Sequence, residues 1–302
     1  MTGEFFDQFG LVAFGSCGQG RNSYIGSKEG RVCRFCFKSE PEVSFKNEAH
    51  AIPRFLGNKQ LVLRLECDDC NSLVSRSLED HLDKYTKPFR TFGFVKGRNA
   101  IPGYLHKDES RIKVGSDRNV KVIAGSDDFI ETDIVSRMAK LTMEREPFIP
   151  SQAYKALCKI AVSVIDNQFA VDAFRPAVEW CMSSVNSRHP YKQLWLYEMK
   201  IPGGGFKGCI YRLWVRRNPT ILPNAIFVIG FGFTVLQIAV PTIFDVESDQ
   251  QGEEIPFFPD GRSSEDIDRY GVTQRKVLDF SSTTAVSLPE LITIRFKEYE
   301  EK

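Results

Sequence analysis

Two pairs of cysteines limit what the N-terminal part of this chain can fold into. The first pair is the Cys-Arg-Phe-Cys segment at residues 33–36, and the second is the Cys-Asp-Asp-Cys segment at residues 67–70. A Cys-x-x-Cys turn presents two thiolates from one tight bend, so two such turns supply the four ligands of a tetrahedral Zn(II) site. The expected ligands are Cys33, Cys36, Cys67 and Cys70. We therefore predict a structural zinc ion that staples the two turns together.

The other four cysteines stand singly in apolar stretches, at positions 17, 158, 181 and 209. A reducing compartment fits this distribution better than a disulfide framework does. The first residues include Glu4 and Asp7 where a secretory signal peptide needs basic residues, and no uninterrupted apolar stretch follows them. We therefore expect a cytoplasmic protein.

Length and composition allow two domains. The chain has 302 residues, of which 42% are hydrophobic and 12% aromatic, which is enough to bury a substantial core. Residues 1–30 end in a glycine-rich, polar stretch that we interpret as a flexible lead-in. We assign residues 31–99 to the cysteine module with a basic extension, and residues 100–302 to a larger second domain.

The pattern inside the cysteine module is two strands followed by one helix. A strand that carries His50 leads into a glycine–asparagine turn at residues 57–58, and a second strand covers residues 61–65. The second cysteine pair runs directly into Asn71, after which apolar residues recur near the helical period as far as Leu82. The sequence thus predicts a ββα module with a histidine on its first strand and an asparagine at the start of its helix.

Beyond residue 100, some segments have apolar residues at the helical period and others at the strand period of two. The expected helices are residues 136–144, 151–166 and 174–185, and the expected strands are residues 111–114, 120–123, 193–199, 208–215 and 225–240. The predicted fold class is therefore α+β, with a zinc-stapled ββα module followed by a larger mixed domain with antiparallel strands.

One long segment, residues 218–244, contains no charged residue. Its length would allow a transmembrane helix. Three prolines, at positions 219, 223 and 241, and an alternation of glycine and phenylalanine among β-branched residues instead favour two buried strands. We interpret the segment as strands of a soluble domain, and a membrane anchor remains the weaker alternative.

The module resembles the HNH, or ββα-metal, endonucleases. The shared pattern is a Cys-x-x-Cys pair before the histidine strand, His-x-Ile-Pro at residues 50–53, and Cys-x-x-Cys-Asn entering the helix at residues 67–71. The resemblance covers residues 31 to about 83 and is closest to the zinc-stapled subgroup. It implies that His50 is the general base, that Asn71 binds one catalytic Mg(II) or Mn(II) ion, and that the paired cysteines hold structural zinc.

The chain departs from the family at the residue before the base. Many members have an acidic metal ligand there, and this chain has Ala49. Glu48 and His50 share one side of an extended strand, so we expect Glu48 to replace that ligand. Glu79 lies two turns along the helix from Asn71, where it would supply or orient a further ligand or simply face solvent.

The resemblance implies a metal-dependent endonuclease that hydrolyses phosphodiester bonds, most plausibly in DNA, and such modules are frequent in bacterial restriction and anti-phage systems. The alternative is a catalytically inactive zinc module that binds nucleic acid or protein, and Ala49 keeps this alternative open. No motif in residues 100–302 specifies a chemistry. We expect a specificity or sensor domain there, or a surface for a regulatory protein or a second copy of the chain.

Charge is distributed unevenly along the chain. The stretch from Lys84 to Lys121 has ten basic and three acidic residues, whereas residues 245–302 have fourteen acidic and seven basic residues. The basic stretch contains several aromatic residues, which is typical of a surface that contacts a phosphate backbone. An ordinary solvated face would give the same pattern. Both interpretations of the basic stretch stay open.

Overall fold

The computed structural model describes residues 2–18, 20–106, 108–115, 117–166, 171–245 and 255–300. The helices are α1 (Thr2–Gln8), α2 (Asp68–Val74), α3 (Asp80–Phe92), α4 (Pro150–Ser163), α5 (Arg175–Met182) and α6 (Ser264–Tyr270). The strands are β1 (Phe9–Cys17), β2 (Ser23–Ile25), β3 (Ala49–His50), β4 (Leu61–Leu63), β5 (Tyr104–Leu105), β6 (Arg111–Val114), β7 (Val120–Ile123), β8 (Ile130–Asp133), β9 (Met138–Glu144), β10 (Trp195–Lys200), β11 (Phe206–Arg216), β12 (Ala225–Gly232), β13 (Thr234–Val240), β14 (Gln274–Asp279) and β15 (Pro289–Arg295). The mixed content and antiparallel sheets confirm the predicted α+β class.

A six-stranded antiparallel sheet, in the order β1-β11-β12-β13-β10-β14, is the largest element of the fold. Every residue of β12 and β13 is buried, since both faces of the sheet are covered. On one face Phe227 and Ile229 join the cluster of buried residues that contains α4. On the other face Ile226 and Val228 pack in a second cluster with Phe5. Alternate residues of one strand therefore serve two separate cores.

The uncharged segment forms this central hairpin, as predicted. Its residues 225–232 and 234–240 are β12 and β13, and the two strands pair with each other in register. No helix among the residues that the structure describes is long and apolar enough to cross a membrane.

The cysteine module contains the predicted ββα arrangement. β3 pairs antiparallel with β4, and His50 lies opposite Val62. α2, a π-helical turn at Ser75–Glu79, and α3 follow one another without a break. β2 adds a third strand, parallel to β4.

α4 lies between the cysteine module and the central sheet. All fourteen of its residues are buried. It packs against the π-helical turn and α3 on one side and against β12 and β13 on the other. One continuous cluster of buried residues therefore includes Cys33 and Cys67 of the module and Phe227 of the sheet. The boundary between residues 99 and 100 stays a prediction.

Two predicted segments differ from the structure. Residues 1–30 were expected to be a flexible lead-in, but Phe9–Cys17 forms β1, which pairs with β11 at the edge of the central sheet. Residues 136–144 were expected to be helical, but Met138–Glu144 forms β9 between β15 and β8. In β9, buried and exposed side chains alternate, and this period of two decides for a strand over the local helix propensity.

One pair of cysteines departs from the expectation of single, reduced thiols. Cys17 of β1 and Cys209 of β11 lie directly opposite each other and form a disulfide. Cys158 and Cys181 are free and buried. The disulfide links two strands that are distant in the sequence, so neither residue spacing nor a motif could indicate it.

Candidate active site

The four paired cysteines come together as the sequence predicts. The Sγ atoms of Cys33, Cys36, Cys67 and Cys70 all lie within 4.8 Å of one another. The Sγ atoms of Cys36 and Cys67 are 3.8 Å apart, which matches the edge of a tetrahedron with Zn–S bonds of about 2.3 Å. The donor set and its spacing therefore fit a closed structural zinc site.

The surroundings of Cys33 favour its thiolate. A hydrogen bond with Cys70, together with the backbone amides of Cys67, Cys36 and Phe35, lowers the pKa of Cys33 to about 4. The hydrogen bond with Cys33, burial, and the charges of Cys33 and Cys67 raise the pKa of Cys70, since a second thiolate beside the first is repelled. Four thiolates so close together need a cation among them, and a Zn(II) ion satisfies this need.

His50 lies half-buried on β3. Burial of the ring lowers the pKa of His50, the charge of Arg54 lowers it further, and the charge of Glu48 opposes both. His50 Nδ1 is buried and makes no hydrogen bond of normal geometry with the described residues, although the Leu61 carbonyl group favours the protonated ring. The imidazole is therefore neutral near pH 7, as a general base must be.

Glu48 and Ala49, the two residues before His50, differ in their exposure to solvent. Ala49 is 2% exposed and lies opposite Leu63 of β4, so its side chain faces the core. Glu48 is exposed, and its charge acts on the His50 ring. An acidic residue at position 49 would have to be buried, whereas the Glu48 side chain is exposed.

Asn71 is the fourth residue of α2 and is half-buried. Its backbone N–H donates to the carbonyl oxygen of Cys67, 3.0 Å away, so the zinc turn directly sets the start of this helix. Its side-chain amide forms no hydrogen bond with the part of the chain that the structure describes. The amide oxygen is thus available as a ligand.

Asp68, which the sequence analysis did not identify, fixes the loop before Glu48. Its carboxylate accepts hydrogen bonds from Ser44 Oγ at 2.5 Å, from the Lys46 amide at 3.0 Å and from the Asn47 amide at 2.9 Å. Burial opposes ionisation, but these donors lower the pKa of Asp68 to about 2. The first turn of α2 therefore holds the segment that leads to His50. The sequence signal that could have identified Asp68 is an acidic residue at the start of a helix.

Asn58 closes the loop between β3 and β4. The side chain is fully buried, and its amide nitrogen donates to the carbonyl oxygens of Ile52 at 2.7 Å and Leu61 at 2.9 Å. Its amide oxygen accepts from the backbone of Gln60 and Leu61. The predicted turn at residues 57–58 is thus a hydrogen-bonded clasp that sets the separation of the two strands.

Glu79 does not face solvent. Its carboxylate lies 3.9 Å from Lys159 Nζ of α4, and the same ammonium group is 2.8 Å from Oε2 of Glu66. Burial raises the pKa of both carboxyl groups, and the charge of Lys159 opposes that rise. Glu79 is therefore part of a buried ionic cluster beneath the module.

The basic stretch divides into two parts. The three cations of α3 have acidic partners, in the pairs Lys84–Asp80, Lys87–Glu146 and Arg90–Asp83. Among the described residues of this stretch that follow α3, five cations are exposed and form no ion pair. These five are Lys96, Arg98, Lys113, Arg118 and Lys121. Only the later part therefore carries free positive charge.

The cysteine module was compared with known protein families, curated proteins and solved structures. The family model of the HNH endonucleases matches residues 33–87, which include both cysteine pairs, His50 and Asn71. No curated protein and no solved structure matches the chain. The matched segment coincides with the ββα module and its zinc cluster. Residues 33–87 of this chain are therefore similar to the HNH endonucleases over the whole ββα module.

Proposed function

We propose that this protein is a metal-dependent HNH endonuclease that hydrolyses phosphodiester bonds, with DNA as its main substrate. The observation that carries the proposal is the local arrangement around β3. A neutral, half-buried His50 follows an exposed Glu48 whose charge acts on the His50 ring, while the zinc turn sets the start of the helix that carries Asn71. These residues supply a base and two hard oxygen donors within one small module.

In the proposed mechanism, His50 accepts a proton from a water molecule as the water oxygen attacks phosphorus. The bond from phosphorus to the 3′ oxygen breaks, the departing 3′ oxygen takes a proton from a second water molecule, and the products carry a 5′-phosphate and a 3′-hydroxyl. Glu48 and Asn71 would hold a Mg(II) or Mn(II) ion, which when bound supplies neutralisation of the charge on the phosphate. Of the two roles expected for Glu79, we propose that it orients a ligand and does not bind the ion itself, because its carboxylate faces Lys159.

A plasmid-nicking assay tests the proposal. We expect wild-type protein to nick plasmid DNA when Mg(II) or Mn(II) is added, and EDTA to stop the reaction. His50→Ala should abolish cleavage while zinc content and the circular-dichroism spectrum remain unchanged. His106→Ala is the matched control, since His106 pairs with Asp108 at 2.8 Å, outside the module, and its loss should leave cleavage intact. An active His50→Ala protein would refute the assignment.

The second candidate is a zinc module that binds nucleic acid or protein without cleaving it. The alanine at position 49 favours this candidate. The same assay separates the two, because a binding module retards DNA in a gel with or without divalent ions and never nicks it. A linear single-stranded RNA substrate in parallel decides between DNA and RNA.

The wider role is proposed by analogy with the family. We propose a part in bacterial restriction or anti-phage defence, in the cytoplasm. Residues 100–302 would then recognise a ligand, a regulatory protein or a second copy of the chain. Plaque counts on hosts that express wild-type or His50→Ala protein test the defence role, and equal counts would refute it.

A further inference from the structure

α4 carries two buried lysines one helical turn apart, and their ammonium groups have different partners. Lys155 Nζ binds the carbonyl oxygens of Ser183 and Ser184 and the hydroxyl groups of Ser183 and Ser187, at 2.9–3.2 Å. It therefore caps the end of α5, within its own part of the chain. Lys159 instead reaches into the nuclease module.

The Lys159 ammonium group contacts three segments of that module. It lies 2.8 Å from Oε2 of Glu66, 3.9 Å from Oε1 of Glu79 and 5.5 Å from the ring centroid of Phe35. Glu66 has no other hydrogen-bond donor among the described residues, and its Oε1 is buried without a partner. The burial of the Glu66 carboxylate thus depends on Lys159.

The two carboxylates stand on either side of Asn71. Glu66 directly precedes Cys67, the residue that caps α2, and Glu79 is the last residue of the π-helical turn. One ammonium group thereby holds both ends of the helical segment that presents Asn71. We propose that Lys159 is a positioning residue of the nuclease site, supplied by residues outside the HNH match, which fixes the Asn71 segment by bridging Glu66 and Glu79. The proposal rests on the proposed function of that site.

A second buried contact crosses the same interface in the opposite direction. Arg34, inside the first cysteine turn, donates from Nη1 to the carbonyl oxygens of Val162 at 2.8 Å and Ser163 at 3.3 Å. These carbonyl groups belong to the last turn of α4, one turn beyond Lys159. Directional polar contacts from both sides fix the register of α4 on the module, whereas apolar packing alone would allow small displacements.

The position of α4 is in turn set by the central sheet. Tyr154 donates from its hydroxyl group to the carbonyl oxygen of Ala239 in β13, 2.8 Å away. α4 is therefore a rigid connection between the sheet and the helix that carries Asn71. Through Lys159, residues 100–302 contribute to the geometry of the site without touching substrate.

The test uses full-length, zinc-loaded protein. Lys159→Met alone would leave two buried carboxylates without a cation, so the diagnostic variant combines Lys159→Met with Glu66→Gln. We measure kcat for plasmid nicking and, independently of cleavage, Mn(II) affinity by electron paramagnetic resonance. The double variant should keep its zinc, lose about 10- to 100-fold in kcat and bind Mn(II) more weakly. Lys155→Met is the matched control and should lower thermal stability but change neither readout.

Two outcomes would overturn this inference while the proposed function stands. One is a double variant with wild-type kcat and Mn(II) affinity. The other is loss of zinc from the double variant, because Lys159 would then hold the fold rather than the position of Asn71. A wild-type protein that neither nicks DNA nor binds Mn(II) would refute the proposed function, and this inference with it.

Discussion

The cysteine module and the central sheet are held together by different interactions. In the module β3 and β4 have only two and three residues, and its loops are fixed by the zinc thiolates, by Asp68 and by Asn58. In the sheet β12 and β13 have eight and seven residues, all of them buried. The module thus depends on a metal and on polar contacts, whereas the sheet depends on apolar burial. One cluster of buried residues joins the two regions through α4, so we expect a change in one region to affect that region first and most.

The largest effect is expected from loss of zinc. Cys67→Ser removes one of four ligands, and structural zinc contributes about 10–16 kcal/mol in small zinc modules. We expect the variant to lose its zinc, and the amides of β4 and α2 to lose protection from hydrogen exchange. Amides of β12 and β13 should stay protected. Equal loss of protection in the sheet would show that the two regions fold as one unit.

The second experiment damages the sheet instead of the module by creating a cavity in its core. Phe227 is fully buried in β12, so Phe227→Ala should lower the free energy of unfolding by about 3–5 kcal/mol. Zinc content should stay unchanged. Phe14→Ala is the control, since Phe14 on β1 is 69% exposed and its removal creates no cavity. Thermal unfolding followed by calorimetry measures both variants, and loss of zinc from Phe227→Ala would contradict the comparison.

A smaller effect is expected at Asp68. Asp68→Ala removes the acceptor of the Lys46 and Asn47 amides. These amides are exposed and can bond to water instead, so the expected cost is about 0.5–1.5 kcal/mol. Because the freed loop leads to Glu48 and His50, cleavage should slow while zinc is retained. Asp69→Ala changes the next residue of α2, which is exposed, and should have little effect. Nicking rates per bound zinc ion compare the two variants. Equal rates would argue against a role of Asp68 in holding the loop that leads to His50.

The smallest effect on stability is expected at the surface. Lys113→Ala removes an exposed cation and should change the free energy of unfolding by less than about 0.5 kcal/mol. DNA binding should nevertheless weaken, and the slope of log K against log salt should fall by about 1. Lys140→Ala is the control, because Lys140 already pairs with Glu131 at 3.1 Å. An unchanged slope for Lys113→Ala would remove this residue from the proposed DNA surface.

The sequence predicted the module well because its signals are local. Cysteine spacing, a glycine–asparagine turn and an asparagine after the second pair each act within a few residues. The prediction of a helix over β9 was wrong because it followed helix propensity, although the apolar residues Ala139, Leu141 and Met143 already alternate with polar residues in the sequence. The pair between Glu66 and Lys159 joins residues 93 positions apart, and no local pattern indicates such a contact.

The pairing of β1 with β11 affects how the chain folds while the ribosome synthesises it. Cys17 and Cys209 are separated by 192 positions, and ribosomes add about 5–20 residues per second. For roughly 10–40 s the nascent β1 therefore has no strand beside it. For about half of that time the zinc turns exist without α4, whose lysine we infer positions the Asn71 segment. We expect a growing chain to cleave nucleic acid more slowly than the finished protein until α4 has packed between the module and the central sheet.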